Sequence, residues 1–596
     1  MVDPSIPDGG LTPVPGVRSF QVFRAQRDVR AADPGVRSGY TYNHHVDMAC
    51  WKGRLYMGWN SCERDEDTWP WRQMYSSSID GATWSPPALL FPPEVSMALR
   101  MYFFHSPNER MLVIAGLRRG QKKAEEKLKA ELVVREILSD HTLGPVFALH
   151  AVRPLTDGCP PFFEASANPG FVTACRLLLA NHPFLEQQDY GNLLDPKDRM
   201  AWHDRAHWPS GKVPGKGIWT FGKASSFFHR RDGALVGVCK MGWVTISRDE
   251  GRTWSMPVAP PSLVTGRAKV WGQRTPDGRF ALVYNPDREL RYPLVMVTSD
   301  DGVTFHNMQV VQGETPIRRY DGSLKDLGAE YVRGISEWAN DGSRSDDAMW
   351  IVYSINKEDI WVSRIPIPIP RDEGGTVTDG FDAMSPGPFV PGWNTYSPRW
   401  APVSVVPLPD GRKCVRLEDA DPYDYARAVR TFPASTQLTA TFEVRPGQDH
   451  SGSLEIEILS DPSALRPIRL ILGSDGQMRT RNGKDKTFLG AYKAGEWIKF
   501  HIDASTVTGR FSISLNGRAV LTGASFTEPA EHFQRLSFRT GVYRKPGDGG
   551  PAAAGSDHPI ERAVYDIREV RIVTDYRPSI VNPQRIQDDH ELETKQ

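Results

Sequence analysis

Three short segments of this chain repeat one pattern, and that repeat narrows the fold more than any other feature. They are Ser78-Ile79-Asp80-Gly81-Ala82-Thr83-Trp84, Ser247-Arg248-Asp249-Glu250-Gly251-Arg252-Thr253-Trp254 and Ser299-Asp300-Asp301-Gly302-Val303-Thr304-Phe305. The shared form is Ser-x-Asp-Gly-x-Thr-aromatic, and the second copy carries one extra residue, Glu250. Asp and Gly favour a tight turn, and the aromatic can pack that turn back on its sheet. Each copy lies between apolar runs of strand length, so the chain repeats a small antiparallel sheet.

These turns resemble the Asp-boxes of sialidase-like β-propellers, where they join the two outer strands of a blade. The strands ahead of each box are legible. Residues 43–51 and 54–59 flank a Lys52-Gly53 turn, residues 225–229 and 234–240 an Asp232-Gly233 turn, and residues 268–274 and 279–285 a Pro276-Asp277-Gly278 turn. Blades without boxes read at 99–117 and 331–364, while 159–219 is irregular with a helix near 172–180. The expectation is an all-β chain whose residues 1–380 form a seven-bladed or six-bladed propeller. A strand near Phe20 to Arg24 closes the ring, which removes most exposed sheet edge. Residues 381–392 read as a Gly- and Pro-rich linker, 393–578 as an antiparallel β-sandwich, and 579–596 as a polar tail. The sandwich follows from alternating runs such as 454–459 and 497–502, and from the Asn516-Gly517 hairpin signal. Its expected role is to buttress the propeller rather than to bind carbohydrate.

Composition excludes several function classes. The 72 Lys and Arg balance 72 Asp and Glu, which argues against bulk nucleic-acid binding. No apolar run approaches the roughly 18 residues of a membrane span. The six cysteines show no CxxC pair and no Cys/His metal spacing, so neither a metal nor another cofactor is expected. The N-terminus has no basic and apolar leader, and reads as a mature start or an artificial boundary rather than a signal peptide.

In a propeller blade the innermost strand starts at the active face and the second strand returns there, with Asp-boxes on the opposite face. Counting back one strand length from each first turn gives His44 or His45, Arg100, Lys223, Lys269 and Arg333 as central positions. Core-lining positions are normally apolar, so this convergence suggests a funnel for an anion such as a carboxylated sugar. Each position also has a structural reading. The histidines could cap a strand, Arg333 could pair with an internal acid, and His105 could be a satisfied histidine beside a turn. The loops after second strands add Trp59, Asn285, Arg291, Asn356 and Lys357 as substrate-binding candidates, with Glu66 on the same rim.

Further segments carry a more specific resemblance: Tyr42-Asn43-His44-His45, Arg291-Tyr292-Pro293-Leu294, residues 325–333, residues 353–361 and Trp393-Asn394-Thr395-Tyr396-Ser397-Pro398. Together they look like the propeller enzymes that remove L-rhamnose capping D-glucuronate in arabinogalactan and gum arabic. Some of those are L-rhamnose-α-1,4-D-glucuronate lyases and others hydrolyse the same linkage; ulvan lyases share the propeller more distantly. The resemblance implies seven blades, a secreted protein, an acidic plant polysaccharide as partner, and a catalytic histidine at His44 or His45. A monomer is expected.

Elimination suits these residue types. The C5 proton of glucuronate is weakly acidic while the carboxylate is charged, so Arg333, with Arg100 or Arg291, would neutralise it. His45 or His44 would take the proton, and the same histidine or Tyr331 would protonate the departing oxygen. Hydrolysis commonly uses paired carboxylates, and no such pair is evident at the central positions. A sialidase is disfavoured because the only Arg-Ile-Pro, Arg364-Ile365-Pro366, ends the propeller part. A non-catalytic glycan-binding propeller remains the alternative from another class.

Overall fold

The computed structural model describes residues 2–3, 6–27, 39–66, 68, 71–92, 95, 97–117, 131–150, 160–188, 190, 211–213, 217–219, 225–266, 268–288, 290–344, 346–370, 375–461, 465–544 and 555–575. After β1 (Arg18–Phe23), strands β2–β5 (Tyr42–Trp51, Arg54–Cys62, Arg72–Ser78 and Ala88–Leu89) form an antiparallel first blade. Strands β6–β9 (Met97–Ser106, Arg110–Leu117, Glu131–Ile137 and Phe147–His150) form the second. A short hairpin, β10 and β11 (Gly211–Val213 and Gly217–Trp219), precedes the third blade, β12–β14 (Ser226–His229, Leu235–Val238 and Val244–Ser247). The fourth blade is β15–β18 (Trp271–Arg274, Phe280–Tyr284, Leu294–Ser299 and His306–Gln312). The last is β19–β21 (Ala329–Asn340, Ala348–Ile355 and Asp359–Pro366), with β1 as its outer strand. The N-terminal strand pairs with β21, Phe20 opposite Val362, as its sequence suggested.

These are five blades among the described residues; most of 151–224 lies outside them. Two helices are described there, α1 (Pro169–Leu179) and α2 (His182–Gln187). Asn168 caps α1 by accepting the Phe171 N–H at 3.1 Å, and Pro169 follows at the first helical position, where it loses no bond. Phe171, Leu178 and Phe184 bury their faces against Tyr102 and Phe104 of β6. Gln187 accepts the Phe227 N–H of β12 at 2.7 Å, so the helices bridge the second and third blades.

The three repeats fold alike. In each, the Ser hydroxyl accepts the Gly N–H (Gly81 to Ser78, Gly251 to Ser247, Gly302 to Ser299) at 2.8–2.9 Å. The Asp carboxylate accepts the Thr N–H (Thr83, Thr253, Thr304) at 2.7–2.8 Å. Gly81 has φ 83°, and a Cβ there would lie 2.1 Å from the Trp350 ring. Gly81→Ala is therefore expected to cost about 2–3 kcal/mol in urea unfolding, from backbone strain plus overpacking. Gly53→Ala, at φ 77° with nothing within 4 Å, should cost about 1 kcal/mol; equal losses would show that the Trp350 contact is unimportant.

The C-terminal part is a two-sheet sandwich around Trp393, Phe442, Phe500 and Phe538, with Phe442 stacked on Phe500 at 5.2 Å. Its first sheet is continuous with the propeller, because β1 runs parallel to Trp393–Ser397 with Arg18 opposite Thr395. The boundary differs from the one read from sequence. Thr376–Asp379, within the expected propeller range, pairs with Ala563–Thr574 of the sandwich. Residues 381–392 are packed rather than a free linker: Phe381 and Val390 are in the sandwich core, and Gly387 pairs with Val405. The tail 579–596 and Cys159 lie outside the described residues, and the other five cysteines are buried.

Candidate active site

Three inner strands break register at the same end of the propeller. β2 slips between His44 and Asp47, β6 between Met97 and Met101, and β19 between Glu330 and Arg333. Within these bulges His45, Arg100 and Tyr331 adopt φ of 53°, 96° and 51°. A bulge re-aims consecutive side chains, and left-handed non-glycine residues persist only where their surroundings over-determine them. His44 and His45, which would alternate in a regular strand, therefore lie together: their ring centroids are 4.6 Å apart, and 4.4 and 5.3 Å from Tyr331.

Cations surround this trio. Lys240 donates to the Tyr331 hydroxyl and lies 4.3 Å from its ring centroid, with Lys269 at 5.0 Å and Arg291 at 5.4 Å. Arg291 also pairs with Asp326 at 2.9 Å, and Lys357 reaches Asp326 at 3.5 Å and Glu330 at 3.6 Å. Glu66 stands 3.9 Å from His45 Nε2, beyond hydrogen-bond reach. His44 Nδ1 is 2.7 Å from the Ser354 hydroxyl. His44 Nε2 and both nitrogens of His45 are buried without a hydrogen-bond partner among the described residues. Buried polar atoms are nearly always satisfied, so these point to a polar ligand or water.

The environment sets the proton states. Burial, then His45, Lys357, Arg291 and Lys269, pushes the His44 imidazole well below its ordinary value. Burial takes His45 down to about 3, with Glu66 opposing and Arg100 and Lys269 assisting. Both rings are thus neutral near pH 7 and able to accept a proton. Burial raises Glu330 to about 7, against Lys357 and Arg291, so this carboxyl can exchange a proton near neutrality.

The structure brings His44, His45, Tyr331, Lys269, Arg291 and Lys357 together, with Arg100 at the edge of the same bulged ring. Arg333 sits deeper, 3.7 Å from Asp47 and over Tyr102 at 4.9 Å, so its pairing is the internal one that was the alternative to binding. His105 is not brought in: it lies at the opposite end of β6 from Arg100, beside Trp51 (5.7 Å) and Glu109 (3.7 Å). Trp59 is fully buried between blades, against Phe23 at 5.5 Å. Asn285 and Asn356 pin loops, donating to the Pro293 carbonyl at 3.1 Å and the Pro316 carbonyl at 2.8 Å. Lys223 lies outside the described residues. Lys240 and Glu330 were missed. Lys240 lies two residues past the end of a second strand, Val238, a position the strand-end rule covers. Glu330 and Glu66 also supply the carboxylates whose apparent lack had favoured elimination. Among the described residues no group of three His, Cys, Asp or Glu is arranged to hold a metal.

Comparison with known proteins fits this architecture. A family model described as an N-terminal beta propeller matches residues 1–201, and one described as "Sialidase-like, CBM domain" matches 393–553. A solved structure named "Sialidase" superposes with a TM-score of 0.84 at 29% identity, over 96% of this chain and 53% of its own. The fold is that of the sialidase-like propellers. The chain spans about half the length of that solved relative. Trypanosoma rangeli sialidase in complex with sialic acid matches 97% of this chain and 99% of its own at 12% identity, but its TM-score of 0.35 carries no argument. No curated protein matches the chain. Arg364, of the Arg-Ile-Pro, lies on the outer side of the last blade opposite Arg18, away from the histidine pair.

Proposed function

We propose that this chain is a glycan-processing enzyme that acts at a carboxylated sugar by β-elimination. The observation that carries this reading is a pair of neutral, buried histidines packed on Tyr331 beneath Lys240, Lys269 and Arg291. The cations hold the carboxylate and stabilise the charge that develops on it as the C5 proton leaves. His45 or His44 takes that proton, its electrons form the C4–C5 double bond, and the C4–O4 bond breaks. Tyr331, whose hydroxyl burial raises above its ordinary value and which accepts from Lys240, keeps its proton near neutrality and delivers it to the departing oxygen. The family resemblance supplies the substrate: terminal L-rhamnose on D-glucuronate in an acidic plant polysaccharide, met by a secreted monomer.

A second reading, hydrolysis, is favoured by Glu330 and Glu66 beside Tyr331, which offer a proton-exchanging carboxyl and a second acid. One incubation with a rhamnose-capped glucuronide separates them. Elimination releases rhamnose with an ultraviolet-absorbing unsaturated uronate, whereas hydrolysis releases rhamnose with ordinary glucuronate. Binding without release from any carboxylated glycoside would leave a glycan-binding propeller and refute both.

A further inference from the structure

We infer that the C-terminal sandwich positions the histidine pair through a continuous chain of hydrogen bonds; this rests on His44 and His45 being the proton-handling residues. The chain starts in the sandwich loop 555–558. Asp557 accepts the Arg27 N–H at 2.9 Å and the Tyr320 hydroxyl, and its carbonyl accepts Gln26 at 3.1 Å. The neighbouring Ser556 carbonyl and Asp421 hold Arg24, at 3.0 and 2.9 Å. On the propeller side the backbone N–H groups of Arg319 and Tyr320 clasp the Glu358 carboxylate at 3.0 and 2.9 Å. The Arg319 side chain binds Asp359 and the Ala25 carbonyl.

Glu358 belongs to the β20–β21 turn, and that turn grips the start of β2. The Lys357 carbonyl accepts the Asn43 N–H at 2.7 Å, and the Glu358 carbonyl accepts the Asn43 side chain at 2.9 Å. Asn43 immediately precedes His44. Lys325 bridges Glu358 at 3.3 Å to the Thr41 carbonyl at 2.9 Å, adding a second hold on the same segment. Arg24, Arg319 and Glu358 are each at most 2% exposed. Buried polar groups that are paired hold their neighbours rigidly, as the Arg319 and Tyr320 N–H groups hold Glu358, and His45 needs rigid neighbours because its backbone is left-handed. The sandwich is therefore a positioning element for the reacting groups as well as a support.

Full-length Asp557→Ala and Tyr320→Phe test this, with Asp557→Asn as the conservative variant that keeps the accepting oxygen. Two readouts are needed: the imidazole resonances of His44 and His45, assigned with the single alanine variants, and kcat and KM on the capped glucuronide. Asp557→Ala and Tyr320→Phe should move both resonances and lower kcat about tenfold with little change in KM, as expected for slight misplacement of reacting groups. Asp557→Asn should stay near wild type. Unmoved resonances in Tyr320→Phe, which loses only a hydroxyl, would overturn the positioning role even if Asp557→Ala failed to fold. A wild type inactive on every carboxylated glycoside would refute the proposed reaction, while the resonances would still decide whether the sandwich positions the pair.

Discussion

Alanine at His45 is expected to lower turnover of the capped glucuronide by about 10²–10⁴-fold, the range that general-base removal spans. His44→Ala should fall in the same range, because each ring packs on the other and on Tyr331. The substrate affinity of both variants should change far less, since Lys240, Lys269 and Arg291 stay in place. Full activity in both variants would remove the histidines from the chemistry and return attention to Tyr331 and Glu330. The pH profile provides a second check. Burial holds His45 at about 3, so its free base persists through mildly acidic solution. The acid limb of kcat/KM should then lie well below the value near 6.5 of an ordinary histidine. Stability follows with a definite sign. Between about 6.5 and 3 the unfolded chain binds a proton that native His45 does not, so this group makes the fold less stable as pH falls through that window. Glu330, raised to about 7 from 4.5, acts oppositely: its native form keeps a proton that the unfolded chain loses, and its contribution is lost as pH rises from 4.5 to 7.

Arg535→Leu should destabilise the protein by about 3–5 kcal/mol, the cost of removing one partner from a buried ion pair. Arg535 lies on the sandwich strand Phe533–Arg539 and is only 1% exposed. Its guanidinium reaches Asp461 at 2.8 Å, the carboxylate of Asp8, and the Leu11 carbonyl at 3.1 Å. Asp8 and Leu11 belong to the N-terminal segment, so this side chain fastens that segment to the sandwich. Leucine leaves two carboxylates facing each other out of water. Burial already raises Asp461 against the pull of Arg535, and without the arginine it should rise further. Adding Asp8→Asn and Asp461→Asn should recover much of the loss, because neutral amides tolerate burial better than unpaired carboxylates. Urea unfolding of the three proteins decides this; a loss under about 1 kcal/mol for Arg535→Leu would mean that the pair is not required.

Local chemistry explains what was legible. Each Asp-box is closed by hydrogen bonds within seven or eight consecutive residues, so its turn needs no distant partner. Strand alternation exposed the sandwich, and strand-length counting found Lys269 and the start of β2. The loop reading erred at Trp59, which proves to lie in a strand buried between blades, and His105, further down its inner strand, lies at the end of that strand away from the histidine pair. The Gly- and Pro-rich stretch 381–392 looked unstructured because its two anchoring apolar residues, Phe381 and Val390, are far apart.

By itself the sequence determined an all-β propeller with a sandwich after it, because period-two patterns and short turns are properties of neighbouring residues. Tertiary structure alone decided which side chains share the site. His44 and His45 both face Tyr331 only because β2 and β19 bulge, and those bulges are held by partners remote in the chain, such as Ser354, 310 residues from His44. The proton states are likewise a tertiary property: an imidazole becomes a neutral base when burial and cations from several blades raise the energy of its charged form.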